Sequence, residues 1–360
     1  MIDLSLLSDG GMQWLEGSGP RSDLVLSTRI RLARNLSGRI FGLRNSTAQR
    51  EEILEVVQEA ARSVPQLERA MVIRLDHLPQ LDRQLLHERH LVSKDIAGLE
   101  PAGRVRAGSA LLVQDQVGLM VNEEDHLRLQ GLVSGFALEA AYDAVNAVDS
   151  ELGQRLAFAF HPEFGYLTSC PTNVGTGLRA SVLIHLPGLV LTKEISKVLQ
   201  GLSQVGLTFR GLYGEGSEVV GNYFQLSNQT TLGKSEFDLL DHLGKMVQQV
   251  ITYEEQARHV LLRDAPLVIE DKVWRAYGLL RYARSLSFEE TMNLLSGVRL
   301  GVGLGLVPGL SLYALNKLLV FTQPAHLMAP DGTECSAAEV ATRRATYVRQ
   351  TLEDEAGRGA

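Results

Sequence analysis

Residues 23–35, DLVLSTRIRLARN, constrain the fold most strongly in this chain of 360 residues. Mostly apolar side chains recur at every second position from Leu24 to Leu32, and Ser27, Arg29 and Arg31 lie between them. A period of two predicts a β-strand with one face in the core. Two arginines on adjacent positions of the other face lie about 7 Å apart and repel each other unless an anion or acidic side chains intervene. The segment therefore predicts a strand whose polar face either binds an anion or is solvated.

Periodicity and turn signals divide the rest of the chain into a mixed part and a helical part. Further strands are predicted at about 109–114, 117–121, 156–168, 180–186, 207–213 and 222–229. Helices are predicted after a capping box at Ser46–Gln49 and at about 126–150, 191–205, 235–263, 270–285, 287–297, 311–320 and 336–354.

This pattern predicts an α+β fold with a mainly antiparallel sheet flanked by helices, followed by a smaller all-helical domain. The composition changes near residues 255–268, where the strand pattern has stopped. We therefore expect domains at residues 1–255 and 256–360.

Composition favours a globular cytoplasmic protein, with 45% hydrophobic and 21% charged residues. The net charge of −7 argues against a nucleic-acid partner. Two cysteines, Cys170 and Cys335, predict no disulfide framework, and the N-terminus lacks the basic region of a secretory signal. The most apolar stretch, Leu300–Leu315, contains several glycines and is too short for a membrane span, so we expect buried helix ends and turns there.

The stretch Cys170–Arg179, CPTNVGTGLR, combines two glycines, two threonines and a terminal arginine before an apolar run. Backbone amides freed by Gly175 and Gly177 would suit an anion bound against a turn. The alternative is a polar turn before a strand. Residues 228–235, NQTTLGKS, miss the phosphate-binding P-loop pattern because Asn228 stands where the first glycine is required.

Three consecutive acids, Glu123, Glu124 and Asp125, follow the strand predicted at 117–121. One interpretation is a solvated turn that caps the helix predicted from about residue 126, where negative charge suits the helix dipole. The alternative is that these carboxylates belong to a functional site.

Five arginines are distributed over separate segments: Arg29, Arg31, Arg128, Arg179 and Arg210. On one face of an antiparallel sheet they would form a clamp for a triphosphate. The acids at 123–125 and Glu215 are suited instead to a cationic substrate. A site that binds a guanidinium compound beside a triphosphate needs that combination of basic and acidic side chains.

Four segments in this order, STRIRLARN, VNEEDHLRLQ, CPTNVGTGLRASV and FRGLYGEGSE, resemble the phosphagen (ATP:guanido) kinases, and most closely the bacterial branch that phosphorylates arginine residues in proteins. The resemblance extends from about residue 14 to the end of the chain. It implies the antiparallel fold, without the small helical N-terminal domain of the creatine and arginine kinases. It also implies an extra helical region after the catalytic domain, with a role in dimerisation or phosphoarginine binding.

The resemblance also implies the residues of the site. Glu124 would be the catalytic carboxylate, grouped with Glu123, while Glu215 would be a second acid on the target guanidinium and Cys170 a reactive cysteine beside the acceptor nitrogen. Mg²⁺ would be bound through phosphates and water rather than by a protein cage. The implied ATP site comprises Ser27, Thr28, Arg29, Ile30, Arg31, His90, Arg128, Arg179, Ala180, Ser181, Val182, Leu183, Arg210, Gly211, Leu212, Tyr213, Gly214 and Glu215.

The function implied is ATP-dependent phosphorylation of arginine residues in proteins. The resemblance further implies marking of proteins for Clp-type degradation, control of a heat-shock repressor, a zinc-finger activator and a homodimer. Two alternatives stay open: a kinase of free arginine or another small guanidino compound, and a non-catalytic adaptor that has kept the fold.

One segment departs from the family's pattern. Many members carry R-D-x-x-R-A in the C-terminal region as part of a phosphoarginine pocket. Here Val340 and Ala341 replace the first arginine and the aspartate, while Arg344 and Ala345 are kept. We therefore expect activation by phosphoarginine to be absent or altered.

Overall fold

The computed structural model describes residues 12–100, 103–212, 219–328 and 335–358. The predicted features of the N-terminus lie outside these ranges. Within them the strands are β1 (Val25–Arg34), β2 (Met71–Arg74), β3 (Ala110–Gln114), β4 (Val117–Val121), β5 (Leu127–Ser134), β6 (Phe160–His161), β7 (Gly165–Tyr166), β8 (Leu178–His185), β9 (Leu207–Arg210) and β10 (Tyr223–Asn228). The α-helices are α1 (Thr47–Arg62), α2 (Gln80–Glu88), α3 (Leu138–Gly153), α4 (Pro187–Leu191), α5 (Ile195–Gln204), α6 (Glu236–Asp264), α7 (Pro266–Tyr282), α8 (Phe288–Gly303), α9 (Leu312–Phe321), α10 (Pro324–Met328) and α11 (Ala337–Arg358).

Eight strands form one sheet in the order β2-β3-β4-β5-β1-β8-β10-β9, and every neighbouring pair is antiparallel. The predicted α+β class with an antiparallel sheet flanked by helices is confirmed. The central strand is β1, the alternating segment of the sequence. Of the extended region predicted at 156–168, residues 160–161 and 165–166 form β6 and β7, which pair as a separate two-stranded hairpin. Phe158 forms an isolated bridge with Leu36.

One face of the sheet is covered by helices and contains the main core. Ile30 and Leu32 of β1 are buried in a cluster with Val57 of α1, Val145 of α3 and Val247 of α6. Helix α1 begins at the predicted capping box, in which the Ser46 hydroxyl accepts from the Gln49 amide and the Gln49 side chain accepts from the Ser46 amide. From Thr28 onward, the even-numbered positions of β1 therefore point toward these helices, whereas a register irregularity between Val25 and Ser27 places Leu26 in a different cluster.

On the other face, a hydrophobic cluster lies at each end of the sheet, and Trp14 and Leu15 pack on Leu132 of β5. At one end, Leu111 and Met120 pack against Leu86 of α2 in one cluster. At the other end, Leu183 and Tyr223 pack in a second cluster, with residues from α7, α8, α9 and α11. The side chains of Ser27, Arg29 and Arg31 of β1 lie between these two clusters, so this part of the face forms a cleft.

The prediction of one long helix over 126–150 was wrong in its first part. Residues 127–134 form β5, which pairs with β1 on one side and β4 on the other, and α3 begins only at Leu138. Leu129, Leu132 and Phe136 fit a helical spacing, whereas Leu127 and Leu129 alternate as in a strand. Pairing with two neighbouring strands favours the strand over residues 127–134. The acidic segment before β5 therefore does not cap a helix. Strand β2 was also missed by the sequence reasoning.

After β10 the described chain is entirely helical, as predicted. Helix α6 continues past residue 255 to Asp264, and α7 begins at Pro266, so the expected domain division at 255–256 falls within α6 and stays a prediction. The apolar stretch Leu300–Leu315 forms the end of α8, a turn and the start of α9, as expected. Among the described helices, none has the combined length and apolarity that a bilayer crossing requires.

Candidate active site

Strand register places all five arginines of interest on one face of the sheet. Arg31 lies directly opposite Arg179 on β8, and Arg29 opposite Ser181. Arg128 lies opposite Ala33, which has the same parity as Arg31. Arg210 of β9 lies opposite Gln225 of β10, which lies opposite Leu183 of β8. Leu183 in turn lies opposite Ser27 of β1, which has the same parity as Arg29. Because paired residues in antiparallel strands share a face, the five guanidinium groups converge on the cleft.

The cleft is strongly electropositive. Burial, together with the charges of Arg128 and Arg210, lowers the pKa of Arg29 to about 10. Burial and the neighbouring Arg29, Arg128 and Arg179 lower the pKa of Arg31 well below its usual value, although Glu123 opposes this. A polyanion between these groups would remove the repulsion, because it supplies the opposite charge in a partly desolvated site.

A small cavity lies in the floor of the cleft. Arg29 donates to the Gln225 Oε1 atom at 2.7 Å, which orients the guanidinium across β8. The sequence reasoning missed Gln225, although polar Gln225 and Ser227 alternate with apolar residues along β10 and mark the same face. The cavity is lined by Ser27, Arg29, His90, Leu132, Ser181, Leu183, Leu212 and Gln225.

Four residues of the implied ATP site point away from the cleft. Ile30, Ala180 and Val182 are fully buried in the main core under the helices. Thr28 donates its hydroxyl to the Gly135 carbonyl at 2.7 Å. These four side chains support the strands that carry the arginines and do not line the cleft. Gly211 follows β9 directly, and Tyr213, Gly214 and Glu215 lie outside the described residues.

Glu123 is buried and fully engaged. Its carboxylate contacts Arg128 and accepts hydrogen bonds from the Ser93 hydroxyl at 2.6 Å and the Glu124 amide at 2.7 Å. Burial by itself would raise the pKa of Glu123, but Arg128, Ser93 and that amide outweigh it and lower the pKa. Glu123 is therefore an ionised anchor for Arg128. No feature of the sequence around Ser93 indicated this contact.

Glu124, the next residue, has the opposite character. Its side chain is 40% exposed, and its carboxylate lies 3.9 Å from the Arg128 guanidinium. Burial, Glu123 and Asp125 raise the pKa of Glu124 in spite of Arg128. A carboxylate with a raised pKa beside a cationic cleft is a better proton acceptor than an ordinary surface glutamate.

Hydrogen bonds join the acidic segment to the segment that carries Cys170. Asp125 is buried, and its Oδ1 atom accepts from the Ser169 amide and from the Asn35 side chain, both at 2.6 Å. The Ser169 hydroxyl donates to the Glu124 carbonyl at 2.9 Å. Cys170 is partly exposed, with Sγ 3.0 Å from the Thr172 hydroxyl. Glu124 and Cys170 are thus carried by two neighbouring backbone segments that hydrogen bonds hold together.

Of the two interpretations of the Cys170–Arg179 stretch, the contacts of Gly175 and Gly177 favour the polar turn over the anion-binding turn. The Gly175 amide donates to the Tyr166 carbonyl at 3.2 Å, and a Cβ atom on Gly175 would lie 2.5 Å from the Thr231 carbonyl oxygen. At Gly177, whose φ is +66°, a Cβ atom would lie 2.6 Å from the Ala33 carbonyl oxygen. These glycines allow the chain to approach its own neighbouring strands, and strand register places Arg179, at the end of the stretch, on the cleft face.

Family comparisons agree with this geometry. Residues 52–257 match the model of the ATP:guanido phosphotransferase C-terminal catalytic domain. The chain belongs to the ATP:guanido phosphotransferase family. Residues 266–359 match a second model, described as the protein-arginine kinase McsB C-terminal domain.

Curated relatives match this family member over nearly its whole length. A protein-arginine kinase from Symbiobacterium thermophilum is 47% identical over 96% of this chain and 98% of its own. Relatives of the same name from Brevibacillus brevis and Bacillus cereus are 45% and 43% identical, over 94% and 97% of this chain and 94% and 98% of their own.

Solved structures show the same catalytic fold. The duplicated taurocyamine kinase from Schistosoma mansoni with bound transition state analog components superposes with a TM-score of 0.60 at 28% identity. That match covers 71% of this chain and 35% of the duplicated kinase, so this chain spans about a third of its length. A lombricine kinase, at 24% identity and a TM-score of 0.56 over 70% of each chain, shows the fold alone.

Proposed function

We propose that this phosphotransferase moves the γ-phosphoryl group of ATP onto arginine side chains of proteins. The observation that carries the proposal is the pairing of two oppositely charged halves in one site. Five guanidinium groups lie on one face of the sheet, and the half-exposed Glu124 beside them is joined by hydrogen bonds to the segment of Cys170. Such a site suits a triphosphate and a cationic acceptor at the same time.

On the phosphate side, the arginines neutralise the triphosphate and the charge that develops on the transferring group. Ser27, Ser181, His90 and Leu212, which line the small cavity, would contact the nucleotide. Mg²⁺, which supplies further charge neutralisation when bound, would be bound through phosphate oxygens and water. Such binding needs no protein cage.

On the acceptor side, a bound guanidinium is a poor nucleophile because its lone pairs are delocalised and its pKa exceeds about 12. Glu124 would orient the group, localise positive charge on the distal nitrogens, and accept the proton as the N–P bond forms. Cys170 would lie beside the reacting nitrogen. Glu123 acts through Arg128 and is proposed as a positioning residue. Glu215 is proposed as a second acid on the guanidinium, on the resemblance alone.

Proteins, rather than free guanidino compounds, are the proposed acceptors. The support is the match of residues 266–359 to the protein-arginine kinase C-terminal domain and the name shared by the full-length relatives. We also propose a division into a catalytic domain and a C-terminal helical domain near residue 256, and a homodimer. On the resemblance alone, we further propose a cytoplasmic location, a zinc-finger activator, a heat-shock repressor as target and a Clp-type ATPase as partner.

The proposal is tested by incubating the chain with ATP, Mg²⁺ and either an unfolded model protein or free arginine. Acid-labile, alkali-stable phosphate on the protein is the expected product. Glu124→Ala is expected to lower the rate by about 10²–10⁴-fold, the usual contribution of a general base, while ADP still binds. Glu59→Ala serves as a control, because Glu59 is 75% exposed on α1 and should leave the rate unchanged.

Two outcomes would contradict the proposed function, and a third would contradict the role of Glu124. Phosphorylation of free arginine alone would support a kinase of small guanidino compounds. Binding of ADP without any transfer would support the adaptor alternative. Turnover in Glu124→Ala at the wild-type rate would remove Glu124 from the assignment.

A further inference from the structure

His90 occupies a backbone conformation that a helix end normally reserves for glycine. Helix α2 ends in a Schellman motif, in which the His90 amide donates to the His87 carbonyl at 2.8 Å and the Leu91 amide donates to the Leu86 carbonyl at 3.0 Å. His90 itself has φ +61°. A side chain in this left-handed conformation costs about 1–2 kcal/mol, which glycine would avoid. The surrounding structure must therefore maintain His90 here.

The strained residue faces the nucleotide cleft. The His90 ring lines the same small cavity as Arg29 and Gln225 and lies edge-on to Trp14 with ring centroids 5.3 Å apart. From the sheet side, the Gln130 side chain of β5 donates to the His90 carbonyl at 2.7 Å. One side of the α2 end is thus attached to the strand that carries Arg128.

The other side of the α2 end is attached to the C-terminal helices through Glu88. This buried carboxylate accepts from the Ala325 amide at 3.1 Å and from His326 Nδ1 at 3.0 Å, and from Gln84 of its own helix at 2.9 Å. Glu88 and His326 have side chains 6% and 3% exposed. A buried carboxylate with several charge-assisted hydrogen bonds is a rigid attachment, because each bond would be lost without replacement by water.

The partner side of this junction is itself well ordered. His326 donates from Nδ1 to Glu88, and its Nε2 atom accepts from Arg89 at 3.2 Å, so both ring nitrogens of a neutral imidazole are used. Arg344 donates to the carbonyl of Thr322, which ends α9, at 2.8 Å, and to that of Leu286 at 2.9 Å. These contacts fix the corner between α9 and α10 on which Glu88 docks.

We propose that the junction of Glu88 with His326 and Ala325 is a positioning device, through which the C-terminal helical region keeps His90 in its strained, nucleotide-facing conformation. The inference rests on the proposed function, since it assumes that the cleft binds ATP. Glu88 and His326 touch no substrate and act through His90. They therefore affect nucleotide affinity and not the binding of the protein acceptor.

The test measures ADP affinity by calorimetry and the KM values for ATP and for the protein acceptor in Glu88→Gln and in His326→Ala. Each variant is expected to weaken ADP binding and raise the KM for ATP at least fivefold, with the KM for the acceptor unchanged. The double variant should lose no more ADP affinity than the single variant that binds ADP more weakly, because both changes break the same junction.

Glu254→Gln provides a matched control. Glu254 is a buried helix carboxylate that accepts from the Gly188 and Leu189 amides at 2.8 and 2.9 Å, at the start of the five-residue α4, and from Arg258. We expect both Glu254→Gln and Glu88→Gln to lower Tm, because each removes a buried carboxylate. Only Glu88→Gln should weaken ADP binding. This separates positioning from general stability.

If the wild-type chain binds ADP and both junction variants bind it with the same affinity, the inference is overturned and the proposed function is not. An equal loss of ADP affinity in Glu254→Gln would also overturn it, since the effect would then follow stability. A wild-type chain that binds no ADP would overturn the proposed function, and the inference with it.

Discussion

Three arginines of β1 lie within six residues and have two different roles. Arg29 and Arg31 have odd positions and face the cleft, whereas Arg34 has an even position and enters the core. There Arg34 donates to Asp149 Oδ2 at 2.7 Å and to the Thr176 carbonyl at 2.8 Å, and it stacks on the Tyr166 ring at 3.6 Å. Arg34 therefore attaches the Cys170–Arg179 segment to β1 and α3 from beneath the site.

Asp149→Asn is expected to destabilise the fold by about 3 kcal/mol, because it leaves the Arg34 charge buried without its counter-ion. Urea unfolding measures the change. Asp264→Asn is the control, since Asp264 and Arg263 form a surface pair with side chains 54% and 72% exposed. A loss below about 1 kcal/mol in Asp149→Asn would show that the carbonyl contacts alone can satisfy Arg34.

Glu123 and Glu124 show how far adjacent residues can diverge. Both are glutamates at the end of β4, and nothing local distinguishes them. Glu123 points inward to Ser93 and Arg128, whereas Glu124 remains half exposed at the edge of the cleft. The surroundings lower the pKa of Glu123 and raise the pKa of Glu124. This difference suits Glu123 as an ionised anchor for Arg128 and Glu124 as a proton acceptor.

At the scale of elements, the segment before β8 is an attachment between strands. Gly175 pairs with Tyr166 of the β6–β7 hairpin, and the Thr231 hydroxyl donates to the carbonyls of Thr172 and Val174 at 3.0 and 2.7 Å. The glycines permit these close approaches. The position of Cys170 therefore depends on β7, on β8 and on the loop after β10 together.

Gly177→Ala is expected to destabilise the protein by more than about 1 kcal/mol, since alanine is disfavoured at φ +66° and its Cβ would lie 2.6 Å from the Ala33 carbonyl oxygen. Gly201→Ala in α5 is the matched control. Beyond its own stretch of helix, no described atom lies within 4 Å of the point that a Cβ would occupy there, so this change should stabilise the helix by about 0.5–1 kcal/mol. Thermal unfolding measures both, and equal Tm values for the two variants would contradict the expectation.

At the scale of the whole molecule, two buried histidines link stability to pH. Burial and Arg29 lower the pKa of His90 well below its usual value, and burial and Arg299 do the same for His185. Below about pH 6.5 the unfolded chain binds protons that the folded chain does not, so stability falls as the pH falls.

Each of these histidines should remove up to about 2 kcal/mol of stability between pH 7 and pH 5, the limit that protonation of an unfolded imidazole sets. Urea unfolding at the two pH values of the wild type and of His185→Asn isolates one contribution. The variant should show a pH-dependent loss smaller by about that amount. An unchanged difference would mean that folding does not lower the pKa of His185.

The C-terminal helices bear on activation by phosphoarginine. Arg344, the arginine kept from the family's pattern, is 3% exposed and donates to two backbone carbonyls. Val340 and Ala341 supply neither the second guanidinium nor the carboxylate. Micromolar phosphoarginine should therefore not activate phosphorylation, as measured by the initial rate on an unfolded protein. A clear rise in that rate would contradict the expectation.

Much of this architecture follows from local pattern. Alternation in residues 23–35 predicts the strand and assigns Arg29 and Arg31 to one face, because side-chain parity is a property of a single strand. Helical periodicity and capping residues predict α1 and the helices after residue 235, since those preferences act within a few residues. The residue types of the site also follow from the sequence, because a triphosphate and a guanidinium require opposite charges.

The tertiary structure decided what depends on partners distant in the sequence. Strand β5 exists because β1 and β4 both pair with it, and that pairing places Arg128 beside Arg31. Local pattern could not separate Glu123 from Glu124, or predict that Gly177 lies against Ala33 and that Glu88 binds α10, because each outcome depends on which surfaces meet. Parity within a strand is local, whereas register and packing are set by contacts across the whole fold.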